Sequence, residues 1–408
     1  MKKRPSLFRK ILKGTGWFFL TLLGVELVLY FLVQVYDFPG QHPFSGEKIY
    51  NPYLGIDSTR WHKTNFHFHT RVWGGLTSGR SNSNEAFYRI YKALGYDAPQ
   101  ISNYQSINES FRDSSFYIPG YEHGFGIRKK HQVLIGSHQV LWLDYSIVQN
   151  LSHKQHMLNL LRPDNDVVAI AHPGWEDGYS LDDVRYLTNY DLLEALNHNW
   201  RSVPHWDAAL SAGRPVYILS DDDAHDLNSP NEIQRNCTYV NSPQNRGADL
   251  VGALKSGKAF GVEVYMGTGE TFAIKEANAK LIPRVNSVKV CGDTLWVSVS
   301  GKPLKITFIG QSGETRKIVP MVSRAWYKFT PGDNYIRTEI VFSRSYDYQT
   351  FAPGTIFYLN PVFRYDGTTP SNILLAEINC PRTLILLIFG FGSLAGLLAA
   401  GWFLNRKP

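Results

Sequence analysis

Apolar positions along this chain fall into three regimes. Trp17 to Tyr36 and Thr383 to Leu404 are nearly unbroken apolar runs, the first broken by Thr21, Glu26 and Gln34, the second free of charge. At roughly 20 residues each, both are long enough to cross a bilayer as a helix. Between them, short apolar stretches first alternate with stretches at helical spacing. Strands are predicted at Ala98–Ser102, Val133–Ile135, Val167–Ala171, Leu192–Leu196 and Val216–Leu219. Helices are predicted at Asn84–Leu94, closed by Gly95, and at Lys154–Leu161, Leu181–Leu187, Trp206–Ala212 and Gly247–Lys255. Such alternation predicts an α/β body with parallel strands, whose natural closed form is a (β/α) barrel. From about Thr271 the period shortens to two, as in Leu295–Val299, Leu304–Phe308 and Ile336–Phe342, with Gly, Pro and Asp turns between. That region is expected to be all-β and sandwich-like, with no helix before the final apolar run.

The expected organisation is therefore a basic tail (1–16), a membrane helix (17–36), a lead-in rich in Pro, Gly and Tyr (37–64), the α/β body (65–265), a β region (266–378), a second membrane helix (383–404) and a short tail (405–408). A cleaved signal peptide is the alternative for the first run. Its apolar length and the lack of a small-x-small site before Asp37 favour a retained anchor.

Charge sharpens this picture. The formal net charge is +7, but eight of the 42 basic residues lie at the ends: Lys2, Lys3, Arg4, Arg9, Lys10, Lys13, Arg406 and Lys407. The body is close to balanced, so the basic pI gives no argument for a nucleic-acid partner. The same residues place both termini in the cytoplasm and the body outside it. Gly392, Gly396 and Ala400 form a small-residue face that suits packing on the first helix or on a second copy. The three cysteines allow a Cys237–Cys291 disulfide or free thiols.

Candidate chemistry gathers at the predicted strand ends. Asn65-Phe-His67-Phe-His69-Thr sets two imidazoles on one face, since residues i and i+2 of a strand point the same way. Glu122 follows in Pro119-Gly-Tyr-Glu, His131 opens the next strand, His172 stands in Ala171-His-Pro-Gly, and Asp223 and His225 end Ser220-Asp-Asp-Asp-Ala-His. In α/β barrels the carboxyl ends of the strands face the functional site.

In this order the motifs resemble the PHP (polymerase and histidinol phosphatase) family of metal-dependent phosphoesterases, over about Asn65 to Val262. The β region, with Tyr335-Ile-Arg337-Thr-Glu339 and Asn360-Pro-Val-Phe, is similar to the domain following such modules in the CehA/McbA branch, which contains carbamate-ester hydrolases. The resemblance implies a distorted (β/α)7 barrel and a metal centre formed by His67, His69, Glu122, His131, His172, Asp223 and His225. His67, His69, Glu122 and Asp223 would hold one ion, and Glu122 would bridge to a second held by His131 and His172. Mixed His/carboxylate sites suit Mn, Fe or Zn, and such ions neutralise charge on ester oxygens and acidify water. Glu122, Asp223 and His225 would carry catalysis, with His225 a phosphate contact or general acid, or else a support for Asp223.

This chain departs from the family where Asn65 replaces an Asp, where Ser102-Asn103-Tyr104 replaces Thr-Asp-His, and where the Gly74–Ser83 loop lacks a histidine. Two metals rather than three are therefore expected. Candidate substrate contacts are Arg80, Asn197 and His198, a solvated loop being the bland reading for Arg80. The implied activity is hydrolysis of a phosphate ester, lipid-linked in one reading. The alternatives are a carboxylic or carbamate ester, or a degenerate barrel that only binds.

Overall fold

Both long apolar runs become helices, Leu7–Phe31 and Cys380–Asn405. The computed structural model describes residues 7–77, 79, 81–198, 200–265, 270–343, 354–368 and 374–405. Both helices are long and apolar enough to cross a membrane, and they pack side by side. A Cβ built on Gly390 would lie 2.4 Å from Cβ of Phe31, so only glycine permits this approach, whereas Gly392 and Gly396 face open space. Beyond Phe31 the chain leaves the helix. Tyr36–Asp37 then pairs antiparallel with Glu377–Ile378, and Asn379 N–H donates to the Val35 carbonyl at 2.8 Å. The two helices thus enter the body at one place.

The body is built on two large sheets. One runs in the order Thr315–Pro320, Lys305–Ile309, Tyr335–Val341, Gly354–Tyr365, Ala259–Tyr265, Asn236–Asn241, Trp61–Asn65 and Ala98–Pro99, with Lys48–Tyr50 beside Gly354–Tyr365. The other runs Gly120–His123, Gln132–Ser137, Asn165–Ile170, Leu192–Asn197 and Tyr217–Asp221. The expected closed parallel barrel is not formed among the described residues. Only Asn165–Ile170, Leu192–Asn197 and Tyr217–Asp221, and separately Trp61–Asn65 with Ala98–Pro99, pair in parallel. A short loop joins Gly120–His123 to Gln132–Ser137, which forces antiparallel pairing. Where ladders would close the barrel, single parallel bridges stand among the described residues instead, Phe68 with Ala224 and Tyr104 with Glu122. Those seams are where the candidate ligands leave the ladders.

Two further corrections concern the β region. Helix Phe272–Ala279 lies where none was expected. Thr271 caps it, accepting from Ile274 N–H, and its inward residues include the polar Lys275 and Asn278, so apolar periodicity does not mark it. Nor does the β region stand as one sandwich of its own: Lys305–Ile309 and Tyr335–Val341 join the large sheet through Gly354–Tyr365, which pairs along Ala259–Tyr265. A three-stranded sheet, Val285–Cys291, Thr294–Val299 and Arg324–Lys328, packs Val288, Leu295 and Val297 toward Phe308, Ile336 and Phe357. A buried ion pair ties this region to the helix Val203–Ser211: Arg337 donates to both oxygens of Asp207 at 2.6 and 2.7 Å. All three cysteines are free, Cys237 buried and Cys291 and Cys380 exposed.

Candidate metal centre

His67 and His69 follow strand Trp61–Asn65 as it leaves its sheet. Asn65 fixes that exit, donating to the His67 carbonyl at 3.0 Å and accepting from Asp222 N–H at 2.9 Å. The acid-to-amide change at Asn65 thus leaves a backbone clamp. Asp223 and His172 take left-handed backbone angles, φ of +47° and +26°, conformations that cost a non-glycine residue of order 1–3 kcal/mol and cluster at functional sites.

Around these residues the ligand-type atoms converge in two groups that share Glu122. His67, His69, Glu122 and Asp223 form one, and Glu122, His131 and His172 the other, with donor atoms within 4.8 Å of one another in each group. Glu122 serves both with separate oxygens. Its Oε2 lies 3.3 Å from His67 Nε2 and 3.1 Å from His69 Nε2. Its Oε1 lies 2.6 Å from His131 Nδ1 and 3.3 Å from His172 Nε2. Asp223 Oδ1 stands 3.2 Å from both His67 Nε2 and His69 Nε2.

Every one of these six side chains is buried. Yet His67 Nε2, His69 Nε2, Glu122 Oε2 and Asp223 Oδ1 have no hydrogen-bond partner. Four orphaned donor atoms aimed at one point are costly in a dry interior, and a cation there satisfies them together. The donor set therefore fits a divalent ion.

Electrostatics agree. Burial opposes charge on His67, but Asp223, Glu194 and Glu122 lift its pKa well above the usual histidine value. Burial likewise opposes charge on Glu122, yet His131 and His67 hold it well below the ordinary carboxylate range. The pocket is built to concentrate positive charge against two carboxylates.

Support comes from residues that the motif reading did not single out. Glu194, the only ionisable group in strand Leu192–Asn197, places Oε1 3.0 Å from His67 Nδ1 and accepts from His172 N–H at 2.8 Å. It orients His67 so that Nε2 faces the cluster. A lone carboxylate inside an apolar strand was the available signal. Tyr104, noted in the sequence only as a departure, stacks on His69 with ring centroids 4.4 Å apart, and burial together with the Glu122 charge pushes its hydroxyl pKa well up. Asn103 is structural, its carbonyl oxygen accepting from Thr70 N–H at 2.8 Å.

The remaining expected residues fall in different places. His225 is outside both convergent groups. It stacks on His69 at 4.3 Å, its Nδ1 lies 2.8 Å from the Asp223 carbonyl, and burial with the His69 imidazole pushes its pKa down to about 4. Asn197 donates to Asp223 Oδ2 at 2.9 Å, so it steadies a carboxylate from behind. His198 Nδ1 is hydrogen-bonded to the Asp222 carbonyl. Arg80 lies outside the described residues. Trp175 packs edge-on against His172 at 5.0 Å.

No protein-family model matches the chain, and neither does any curated protein. Among solved structures it is similar to a crystal structure from Bacteroides vulgatus ATCC 8482, a two-domain protein containing a predicted PHP-like metal-dependent phosphoesterase. The identity is 12%, the match covers 76% of this chain and 96% of that one, and the TM-score is 0.38. A score this low leaves the weight of any functional reading on the side chains themselves.

Proposed function

We propose that this protein is a membrane-anchored, metal-dependent hydrolase that cleaves a phosphate ester outside the cytoplasm. The observation that carries the reading is the pair of buried donor groups sharing Glu122, with four orphaned atoms in the first. His67, His69, Glu122 and Asp223 would hold one divalent ion, and Glu122, His131 and His172 a second. When bound, such ions neutralise developing charge on the ester oxygens and lower the pKa of water.

The chain's own residues set the conditions for that chemistry. Glu194 and Asn197 hold His67 and Asp223 from behind, so that the donor atoms are placed before any substrate arrives. With Nδ1–H donating to the Asp223 carbonyl, His225 leaves Nε2 as an acceptor, able to take a proton from water. Burial excludes competing water and strengthens each of these interactions. The two apolar helices would hold the body at the bilayer, and the terminal basic residues favour an extracytoplasmic body.

The test uses the full-length protein. Elemental analysis is expected to find about two divalent ions per chain, and chelation to abolish hydrolysis of an aryl phosphate monoester or diester. Turnover of aryl carboxylic or carbamate esters with none of phosphates would move the assignment to that bond class. Fewer than one tightly bound ion per chain, with no turnover, would make the protein a binding module and end the hydrolase reading.

A further inference from the structure

Three loops beside the candidate centre bring large apolar side chains to the surface. Trp73 and Leu76 come from one, Phe125 and Ile127 from the second, and Trp142 from the third, with Leu76 91% exposed and Ile127 73%. All but Ile127 line a cleft of about 540 Å³ whose lining also includes Tyr104 and His131, a volume usual for small organic ligands. Trp73 is fastened to the site, since its indole N–H donates to the Tyr104 carbonyl at 2.8 Å. Its ring meets Trp142 edge-on at 5.5 Å. The cleft's cation is Lys129, held over the Trp175 ring at 5.1 Å.

The loop that carries Trp142 also seats the membrane-length helices. Tyr145 and Leu141 pack with Val33, Met157, Leu29 and Leu386, and Trp142 is the residue that follows Leu141 in the chain. The neighbouring loop is pinned to this seat by Phe125 N–H donating to Asp144 Oδ2 at 2.9 Å and Ile127 N–H to the Ser146 carbonyl at 2.8 Å. Ile147 and Val148 extend the exposed apolar surface along it. Contiguous exposed apolar surface marks an interaction site, and Trp at this level is the residue type that bilayer interfaces favour.

We propose that the cleft receives the apolar chain of an amphiphilic phosphate ester drawn from the bilayer, with its charged group at the candidate metal centre beside Lys129. This rests on the hydrolase reading above. Continuity between the cleft wall and the helix seat makes a membrane amphiphile the occupant. Trp142 and His131 line the same cleft.

The full-length protein in vesicles of digalactosyldiacylglycerol, a bilayer lipid without phosphate, tests this with alkyl 4-nitrophenyl phosphates carrying methyl, butyl or octyl chains. Binding of methyl- and octylphosphonate is measured in parallel. Partition into the bilayer favours octyl in every variant, so the cleft's share is the difference between variants. The octyl-to-methyl ratio of kcat/KM is expected to fall at least about tenfold in Trp142→Ser and in Trp73→Ser, since each buried methylene is worth up to about fourfold. Diluting the ester with further digalactosyldiacylglycerol, which carries no phosphate, at constant bulk concentration is expected to slow the wild type.

Turnover with an unchanged ratio in both variants overturns the inference and leaves the hydrolase reading intact. Octyl-selective phosphonate binding that the variants lose, without turnover of any ester, overturns the hydrolase reading and keeps the cleft's preference. A rate that follows aqueous concentration alone overturns the bilayer route. A change in oligomeric mass in Trp142→Ser, with the ratio unchanged, assigns the surface to a second copy instead.

Discussion

Glu122 divides its two oxygens between two clusters, and this division makes residue-scale predictions separable. His172→Ala removes a donor from one group only, so retained divalent metal is expected to fall from about two ions per chain to about one. Glu122→Ala takes a donor from both and is expected to leave fewer than one. Plasma emission analysis of the purified full-length protein reads both numbers, and equal losses in the two variants would contradict the shared-carboxylate arrangement. Glu194→Gln keeps the shape but weakens the acceptor that orients His67. Metal affinity is expected to drop about 10- to 100-fold, as for other groups that orient ligand histidines, with little change in thermal stability measured on the metal-free protein. Glu194 was visible in the sequence as a lone charge in an apolar strand, but no spacing rule linked it to His67. The two are 127 positions apart.

At the scale of elements, helix Val203–Ser211 joins the side of the body that holds the candidate metal centre to the β region. Arg337 and Asp207 are both buried, and removing one partner strands the other charge. Arg337→Ala is therefore expected to cost about 3–5 kcal/mol, read as a shift of the unfolding midpoint in denaturant at constant detergent. The same helix carries a pH-sensitive residue. His205 Nε2 donates to the Tyr179 carbonyl at 2.9 Å, while its Nδ1 is buried without a partner. Burial lowers its pKa below the ordinary 6.5, with Asp183 and Asp177 pulling weakly upward. Above pH 6.5 both folded and unfolded states hold it neutral and it contributes nothing to the pH dependence. Below that value the unfolded chain takes up a proton that the folded protein resists, so stability is lost as pH falls, by at most about 1.4 kcal/mol per pH unit. His205→Asn is expected to flatten this part of the stability profile between pH 6.5 and 5. An unchanged slope would remove His205 as its source.

For the whole molecule, the paired helices and the strand pair Tyr36–Asp37 with Glu377–Ile378 bring both ends of the chain to one side of the body. Cys291 reports on which side of the membrane that body lies, because it is exposed whereas Cys237 is buried. In a Cys380→Ser background, a membrane-impermeant maleimide is expected to label Cys291 in intact cells as fully as after lysis. Labelling only after lysis would place the body in the cytoplasm and reverse the proposed topology.

The sequence by itself determined what depends on local period and residue type. Two membrane-length apolar runs, alternating strands and helices followed by a period-two region, and the order of the candidate ligands were all legible, because each is written in neighbouring positions. Helix Phe272–Ala279 was not, since its buried side is partly polar and its signal is a cap. Only the tertiary structure decided that the sheets stay open at two seams, where Phe68 meets Ala224 and Tyr104 meets Glu122. Strand direction depends on how long connections fold back, which no local period records. Only it decided that six of the seven proposed ligands share one buried volume while His225 stands beside it, and that a cleft lined by Trp73, Phe125 and Trp142 opens beside His131. Those facts are distances between residues far apart in the chain, set by packing rather than by any pattern along it.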